Sequence, residues 1–168
     1  MKTRCVWRPI RRYPQGRQSA VNSLPFPLPR DTARAMDERN AAMIDALRRT
    51  YEAFNRGDFD AAVEIAHPEA EMVPVGGQAS LRGAAAVRAW MEPDAFEEQR
   101  IEPLDFRVEG DKVLARQHTQ ARGVGSGINL DLELWTVWTF DDDLLATRVE
   151  TYLPHQESEA LEAAGLRE

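Results

Sequence analysis

Cysteine and histidine are scarce in this 168-residue sequence, which also has no long apolar run. The single Cys5 cannot form an internal disulfide, which favours a reducing, cytoplasmic setting. Three scattered histidines lack ligand-like spacing, so no metal site is predicted, and no motif indicates a cofactor. The apolar runs fall short of the ~20 residues that cross a bilayer, so a membrane span is not expected.

Charge is distributed unevenly along the chain. The net charge is −7, but residues 1–35 carry +7 and residues 36–168 carry −14. A domain this acidic repels phosphate backbones, which argues against nucleic acid as its partner. The length, together with 43% hydrophobic and 29% charged residues, predicts one globular domain of ordinary core size.

Residues 1–35 are predicted to be a disordered, basic extension, and residues 36–168 the folded domain. The extension contains five prolines and no sustained apolar period. Its charge leaves binding to a membrane surface or to nucleic acid as the alternative to a plain unstructured tail. Met36 directly precedes the first clear helix, which leads to the hypothesis that the natural chain begins there.

Helices are predicted in the first part of the domain. An apolar stripe at three- and four-residue spacing predicts a helix over about 37–56, formed by Ile44, Leu47, Tyr51 and Phe54. A second helix is expected over 59–66, ending at His67-Pro68, and a third over 83–91.

Strands are predicted to follow the helices. Alternating side chains indicate strands near 104–108, 112–121, 128–140 and 145–153, after a short strand at 71–75 and before a short C-terminal helix. Small and apolar residues at odd positions of 112–121 predict that these face inward. In 128–140 the even positions are expected to do so. Helices followed by an antiparallel meander give an α+β fold.

Four strings carry a resemblance to a known family: YEAFNRGD at 51–58, HPEAEMVPV at 67–75, VWTF at 137–140 and EALEAAGL at 159–166. With the order of elements, they resemble the SnoaL-like branch of the nuclear-transport-factor-2-like superfamily over about 37–166. The resemblance implies a cone-shaped, curved antiparallel sheet on three N-terminal helices around an apolar pocket. Many relatives turn with Gly-Lys between their last two strands. Here Leu144-Leu145 stands there instead, so a different turn is expected.

Ketosteroid isomerases of this superfamily use a carboxylate base and an oxyanion hole of Tyr and protonated Asp. The resemblance places Thr50 at the Tyr position, Val73 at the base and Thr136 at the Asp. None of these side chains can act as an acid or base near neutral pH. Classical steroid isomerisation is therefore not expected.

Two weak candidates for acid–base chemistry remain. His118 could be a general base, but its even position predicts that it points away from the pocket. Glu150 shares a face with Arg148, either as a polar patch at the pocket mouth or as an exposed ion pair. His67 and His155 are expected to be surface groups.

The resemblance and the sequence patterns together predict a pocket lined by Tyr51, Val73, Trp90, Gln117, Thr136 and Trp138. For Tyr51 and the two tryptophans, plain core packing is the alternative. Trp135 and Val137 have outward parity, and large apolar side chains there suggest a covering surface. Homodimerisation through this sheet face is predicted.

Two functions remain open at this stage. One is a cofactor-free isomerase, cyclase or hydratase acting on a small apolar molecule. The other is a non-catalytic ligand-binding or dimeric scaffold domain, because the acid–base positions carry other side chains. The orientation of His118, Asp131 and Glu150 distinguishes them.

Overall fold

The computed structural model describes residues 30–75, 79–92 and 96–166. Four helices and six strands follow one another along the chain: α1 (Arg30–Asn55), α2 (Phe59–Val63), β1 (Ala66–Val73), β2 (Leu81–Arg82), α3 (Ala84–Met91), β3 (Phe96–Glu109), β4 (Lys112–Gly123), β5 (Asn129–Phe140), β6 (Ala146–Tyr152) and α4 (Glu157–Ala163). The predicted α+β layout is confirmed. None of the helices in these ranges is long and apolar enough to cross a membrane.

Helix α1 begins earlier than predicted. It starts at Arg30, so the expected boundary between residues 35 and 36 falls inside a helix. Pro29 is the last proline before Pro68, and the residues after it include good helix formers. Residues 31–38 are exposed, and residues 1–29 of the predicted extension lie outside the described residues.

The segment around His67-Pro68 forms strand rather than the end of a helix. Helix α2 stops at Val63, after Asp58 caps its N-terminus by accepting a hydrogen bond from the Ala61 amide. Strand β1 then starts at Ala66, and its pairing is irregular between Ala66 and Glu71. A proline without an N–H is tolerated at such an irregularity.

The six strands form one sheet in the order β2-β1-β6-β5-β4-β3. Neighbouring strands pair antiparallel, except β1 and β6, which run parallel. The prediction of a purely antiparallel sheet is therefore wrong for this one pair. The predicted parity of β4 and β5 is correct. Val113 pairs with Trp138 and Ala115 with Thr136, and all four are buried beneath the helices.

The opposite sheet face is partly covered by α4. Its Ala160 and Ala164 pack in one cluster with Leu114, Trp135 and Val137. Trp135 is only 6% exposed and Val137 only 1%. The expectation that these two side chains form a homodimer contact is therefore corrected, because α4 of the same chain covers them. Homodimerisation itself stays a prediction.

The turn between β5 and β6 keeps a left-handed residue without glycine. Leu144 has φ 63° and packs partly against the main core. Asp141 Oδ1 accepts hydrogen bonds from the backbone amides of Asp143 and Leu145, at 3.0 and 2.9 Å. Leucine thus takes a conformation that normally favours glycine, and these contacts fix the turn.

Candidate functional site: a cavity between helices and sheet

A cavity of about 620 Å³ lies between the helices and the inner face of the sheet. Its wall is built mainly by carbon atoms of α1, α2, α3 and five of the strands. Five of the six predicted pocket residues line it: Tyr51, Trp90, Gln117, Thr136 and Trp138. Its volume lies within the range of small-molecule sites.

Val73, the sixth predicted residue, does not line the cavity. Its neighbours Met72 and Pro74 do. The prediction for Val73 is therefore wrong by one position. The chemical conclusion holds, because a methionine at this level of the wall is no more a proton acceptor than a valine.

Three buried side chains form a hydrogen-bonded chain at the inner end of the cavity. Trp138 Nε1 donates to the hydroxyl of Tyr51 at 3.2 Å, and that hydroxyl donates to Gln117 Oε1 at 2.8 Å. The rings of Tyr51 and Trp138 meet edge to face, with centroids 6.2 Å apart. Helix α1 supplies the tyrosine, β4 the glutamine and β5 the tryptophan, so the chain joins three elements.

Burial holds Tyr51 in its neutral form. Desolvation raises the pKa of the phenol above its ordinary value of 10.0, and the hydrogen bond from Trp138 only partly opposes this rise. At neutral pH the hydroxyl is therefore a hydrogen-bond donor and acceptor, and not a base.

Two threonine hydroxyls in the wall have no hydrogen-bond partner. Oγ1 of Thr136 and Oγ1 of Thr119 are both buried and unpaired, and both residues line the cavity. Thr136 is only 3% exposed. A buried hydroxyl without a partner costs roughly 1–3 kcal/mol, which makes such groups candidates for contact with a bound molecule.

Acid–base groups are nearly absent from the described part of the wall. Among its residues only Glu71 is a carboxylic acid, and none is a histidine or lysine. The Glu71 carboxylate forms an ion pair with Arg148, which also contacts Glu150 at 2.9 Å. Over the same ranges, no group of His, Cys, Asp and Glu is arranged to hold a metal ion.

Both candidate catalytic residues lie outside the cavity wall. His118 points to the outer sheet face, as its parity predicted, where its Nε2 lies 2.6 Å from Asp131 Oδ1. Hydrogen bonds from His118 and then from Gln120 lower the pKa of Asp131. Glu150 forms an ion pair with Arg148, as one of the two alternatives expected, but the pair is partly buried and not exposed. Neither side chain can reach a molecule in the cavity, because the sheet separates them from it.

The mouth of the cavity carries exposed aromatic side chains. Trp90 is 44% exposed and Phe96 37% exposed, and both belong to the cavity wall. Trp90 is at the end of α3, and Phe96 opens β3. The entrance to the cavity is therefore apolar.

The sequence predicted that Tyr51, Gln117 and Trp138 line the pocket, but it did not predict the hydrogen bonds between them. Parity turned Gln117 and Trp138 inward, and the helical stripe did the same for Tyr51. Their contact depends on how three elements pack, since Gln117 pairs across the strands with Leu134 and not with Trp138. Thr119 was predicted to face inward but was not singled out.

Comparison with known proteins identifies the architecture. A family model for the SnoaL-like domain matches residues 47–148. Among curated proteins, none matches the chain.

Solved structures with the same fold include the following three proteins. A putative polyketide cyclase from Sinorhizobium meliloti is 28% identical, with TM-score 0.55, covering 64% of this chain and 94% of that one. A nuclear-transport-factor-2-like protein of unknown function from Burkholderia pseudomallei is 22% identical, with TM-score 0.61, covering 73% and 96%. SalBIII, an epoxide hydrolase/cyclase-like enzyme in pyran ring formation of the polyether salinomycin, is 20% identical, with TM-score 0.60, covering 67% and 91%.

The family match spans more than half of the sequence, and the sheet, helices and cavity agree with it. The chain belongs to the SnoaL-like domain family.

Proposed function

We propose that this protein binds one small, uncharged and mostly apolar molecule in its interior cavity, without acid–base chemistry. One observation carries the proposal. The cavity of about 620 Å³ has a wall of carbon atoms interrupted by a few neutral polar groups, two of which lack partners. Wide apolar contact supplies affinity in such sites, and a few polar groups set the orientation of the ligand.

The charge of the wall supports an uncharged ligand. The ionisable side chains among the described wall residues are Glu71, which is paired with Arg148, and Tyr51, which is neutral. An ion placed inside would lose its hydration without gaining an opposite charge, which is costly. A neutral molecule avoids this cost.

A second candidate function is cofactor-free isomerisation or cyclisation of the bound molecule. It is favoured by the neutral hydrogen-bonding side chains at the inner end of the cavity, since a neutral donor there could stabilise charge that develops on an oxygen. The names of the structural neighbours, a putative polyketide cyclase and an epoxide hydrolase/cyclase-like enzyme, point the same way. No proton acceptor in the described wall supports it, so binding is the preferred function.

Filling the cavity should abolish binding. Leu134 lines the cavity, so we expect Leu134→Trp to weaken binding at least tenfold for every neutral polycyclic or terpenoid compound that the wild type takes up. Native mass spectrometry of the protein against a panel of such compounds measures this. Leu104→Trp is the matched control, because Leu104 is 42% exposed on β3 and outside the wall.

The same samples separate the two candidate functions. Each compound recovered after incubation is analysed by chromatography and mass spectrometry. Unchanged compounds with saturable binding support a binding domain, while a rearranged product that the wild type forms and Leu134→Trp does not would support the enzyme. If no compound binds the wild type, or if both tryptophan variants bind equally well, the proposal is wrong.

A further inference from the structure

The hydrogen-bonded chain at the inner end of the cavity has a fixed direction. An indole N–H can only donate, so the Tyr51 oxygen must accept from Trp138. The Tyr51 proton is then directed at Gln117 Oε1, 2.8 Å away. The donor or acceptor role of each group is therefore fixed by the group before it.

This direction orients the amide of Gln117. The amide oxygen accepts the hydrogen bond from Tyr51, so the NH₂ group points away from Tyr51. The reverse amide orientation would place a donor against Tyr51 and deprive the tyrosine proton of its acceptor. Buried donors are rarely left in that state, so the observed orientation is the favoured one.

The amide nitrogen of Gln117 faces the cavity. The residue is 6% exposed and lines the cavity, and the hydrogen bonds of the described residues give its Nε2 no acceptor. The nitrogen is also not among the fully buried unpaired atoms, which include the hydroxyl of Thr136. Open space beside a donor that is otherwise enclosed marks a place for an acceptor atom.

The threonine hydroxyls lie next to this amide on the inner face. Thr119 is two residues along β4 from Gln117, and Thr136 pairs with Ala115, the residue two before Gln117. Thr136 also pairs with Thr151 of β6, which lines the cavity too. Together with Gln117, these residues form a short polar stripe across an apolar wall.

We infer that the cavity selects a neutral ligand bearing a hydrogen-bond acceptor, a carbonyl or ether oxygen, which accepts from Gln117 Nε2. The inference rests on the proposed function and names the ligand class for the same site. Tyr51 acts as a positioning residue, because it holds the amide of Gln117 in the donating orientation.

Three tricyclic probes of the same shape test this polarity. The ketone 9-fluorenone offers an acceptor, fluorene offers no polar group, and carbazole offers only a donor. Equilibrium dialysis against the full-length protein measures the affinity of each. We expect 9-fluorenone to bind about tenfold more tightly than fluorene, the value of one buried hydrogen bond, and more tightly than carbazole.

Two variants assign the preference to the amide. Gln117→Leu should bind 9-fluorenone and fluorene equally, while keeping the affinity for fluorene. Gln120→Leu is the matched control, because Gln120 lies on the same strand but bonds to Asp131 on the outer face. It should keep the tenfold preference. If Gln117→Leu fails to fold, Gln117→Glu, which replaces the amide donor with a carboxyl, should lose the preference for the ketone near neutral pH.

Tyr51→Phe tests the positioning role with a readout that simple loss of packing does not produce. Without the tyrosine proton, the amide can turn its oxygen to the cavity, so the ratio of 9-fluorenone affinity to carbazole affinity should fall toward one. An unchanged ratio in this variant would overturn the role of Tyr51.

Failure of this inference differs from failure of the proposed function. If the wild type binds all three probes with equal affinity, or prefers carbazole, the acceptor preference is wrong and the binding function stands. If it binds none of them, both are contradicted.

Discussion

Tyr51 is the residue on which the cavity depends most. It packs edge to face on Trp138, accepts a hydrogen bond from that indole and donates one to Gln117. Because its ring is almost fully buried, ionisation would place a charge where neither water nor a cation can compensate it. This has a consequence for stability at high pH.

We expect the free energy of unfolding to fall as the pH rises above 10.0, the ordinary tyrosine pKa. The unfolded chain then loses the Tyr51 proton while the folded protein keeps it, since burial raises the folded pKa. The unfolded state therefore binds fewer protons, and stability decreases with pH. Tyr51→Phe should reduce this decrease by up to about 1.4 kcal/mol per pH unit, measured by urea unfolding between pH 9 and pH 11.

Tyr152→Phe serves as the control for this measurement. Desolvation also raises the pKa of Tyr152, but that side chain is only partly buried. Its replacement should change the slope less than Tyr51→Phe does. Equal slopes for the wild type and Tyr51→Phe would mean that Tyr51 ionises in the folded protein as freely as in water.

At the residue scale, the sequence predicted the orientation of side chains better than the hydrogen bonds between them. Parity turned Gln117, Thr136 and Trp138 inward and His118 outward, because side chains alternate strictly along a strand. The position of Val73 was implied by the family resemblance, and there Met72 and Pro74 line the cavity instead. The bonds of Tyr51 were out of reach, since they depend on the packing of α1 against two strands.

At the element scale, α4 decides what the outer sheet face can do. Ala160 of this seven-residue helix and Ala164, which caps its C-terminus, lie over Trp135 and Val137. The sequence showed that a cover was needed there, because large apolar side chains had outward parity. It did not show that the cover was this helix, since so short a segment carries no periodicity that names its docking surface.

Disrupting this cover should destabilise the protein. Ala160 is fully buried against the sheet, so Ala160→Asp places an unpaired charge in an apolar contact. We expect the free energy of unfolding to fall by roughly 3 kcal/mol, and Trp135 to become accessible to a fluorescence quencher. Urea unfolding and acrylamide quenching measure the two effects.

Ser158→Asp is the matched control, since it adds the same charge on the exposed side of α4. It should alter stability by no more than about 0.5 kcal/mol. If Ala160→Asp were as stable as this control, the helix would not cover the sheet in solution. Trp135 and Val137 would then again be open to a second copy of the chain.

At the scale of the whole molecule, the order of elements predicted the α+β class, and the family resemblance predicted the curved sheet on three helices. Helices followed by long alternating strands admit few arrangements in which every apolar face is buried. The parallel pairing of β1 with β6 was missed, because β1 is short and interrupted by Pro68. The interior cavity was expected from the family resemblance, and its neutral polar stripe was not.

The central claim is that this cavity holds the ligand, and a crystal structure of the protein with 9-fluorenone tests it most directly. We expect ring density inside the cavity, between Trp90 at its mouth and Trp138 at its inner end, with the ketone oxygen about 3 Å from Gln117 Nε2. Density for the ketone only on the outer surface, or a cavity closed by its own side chains, would show that the cavity is not the binding site.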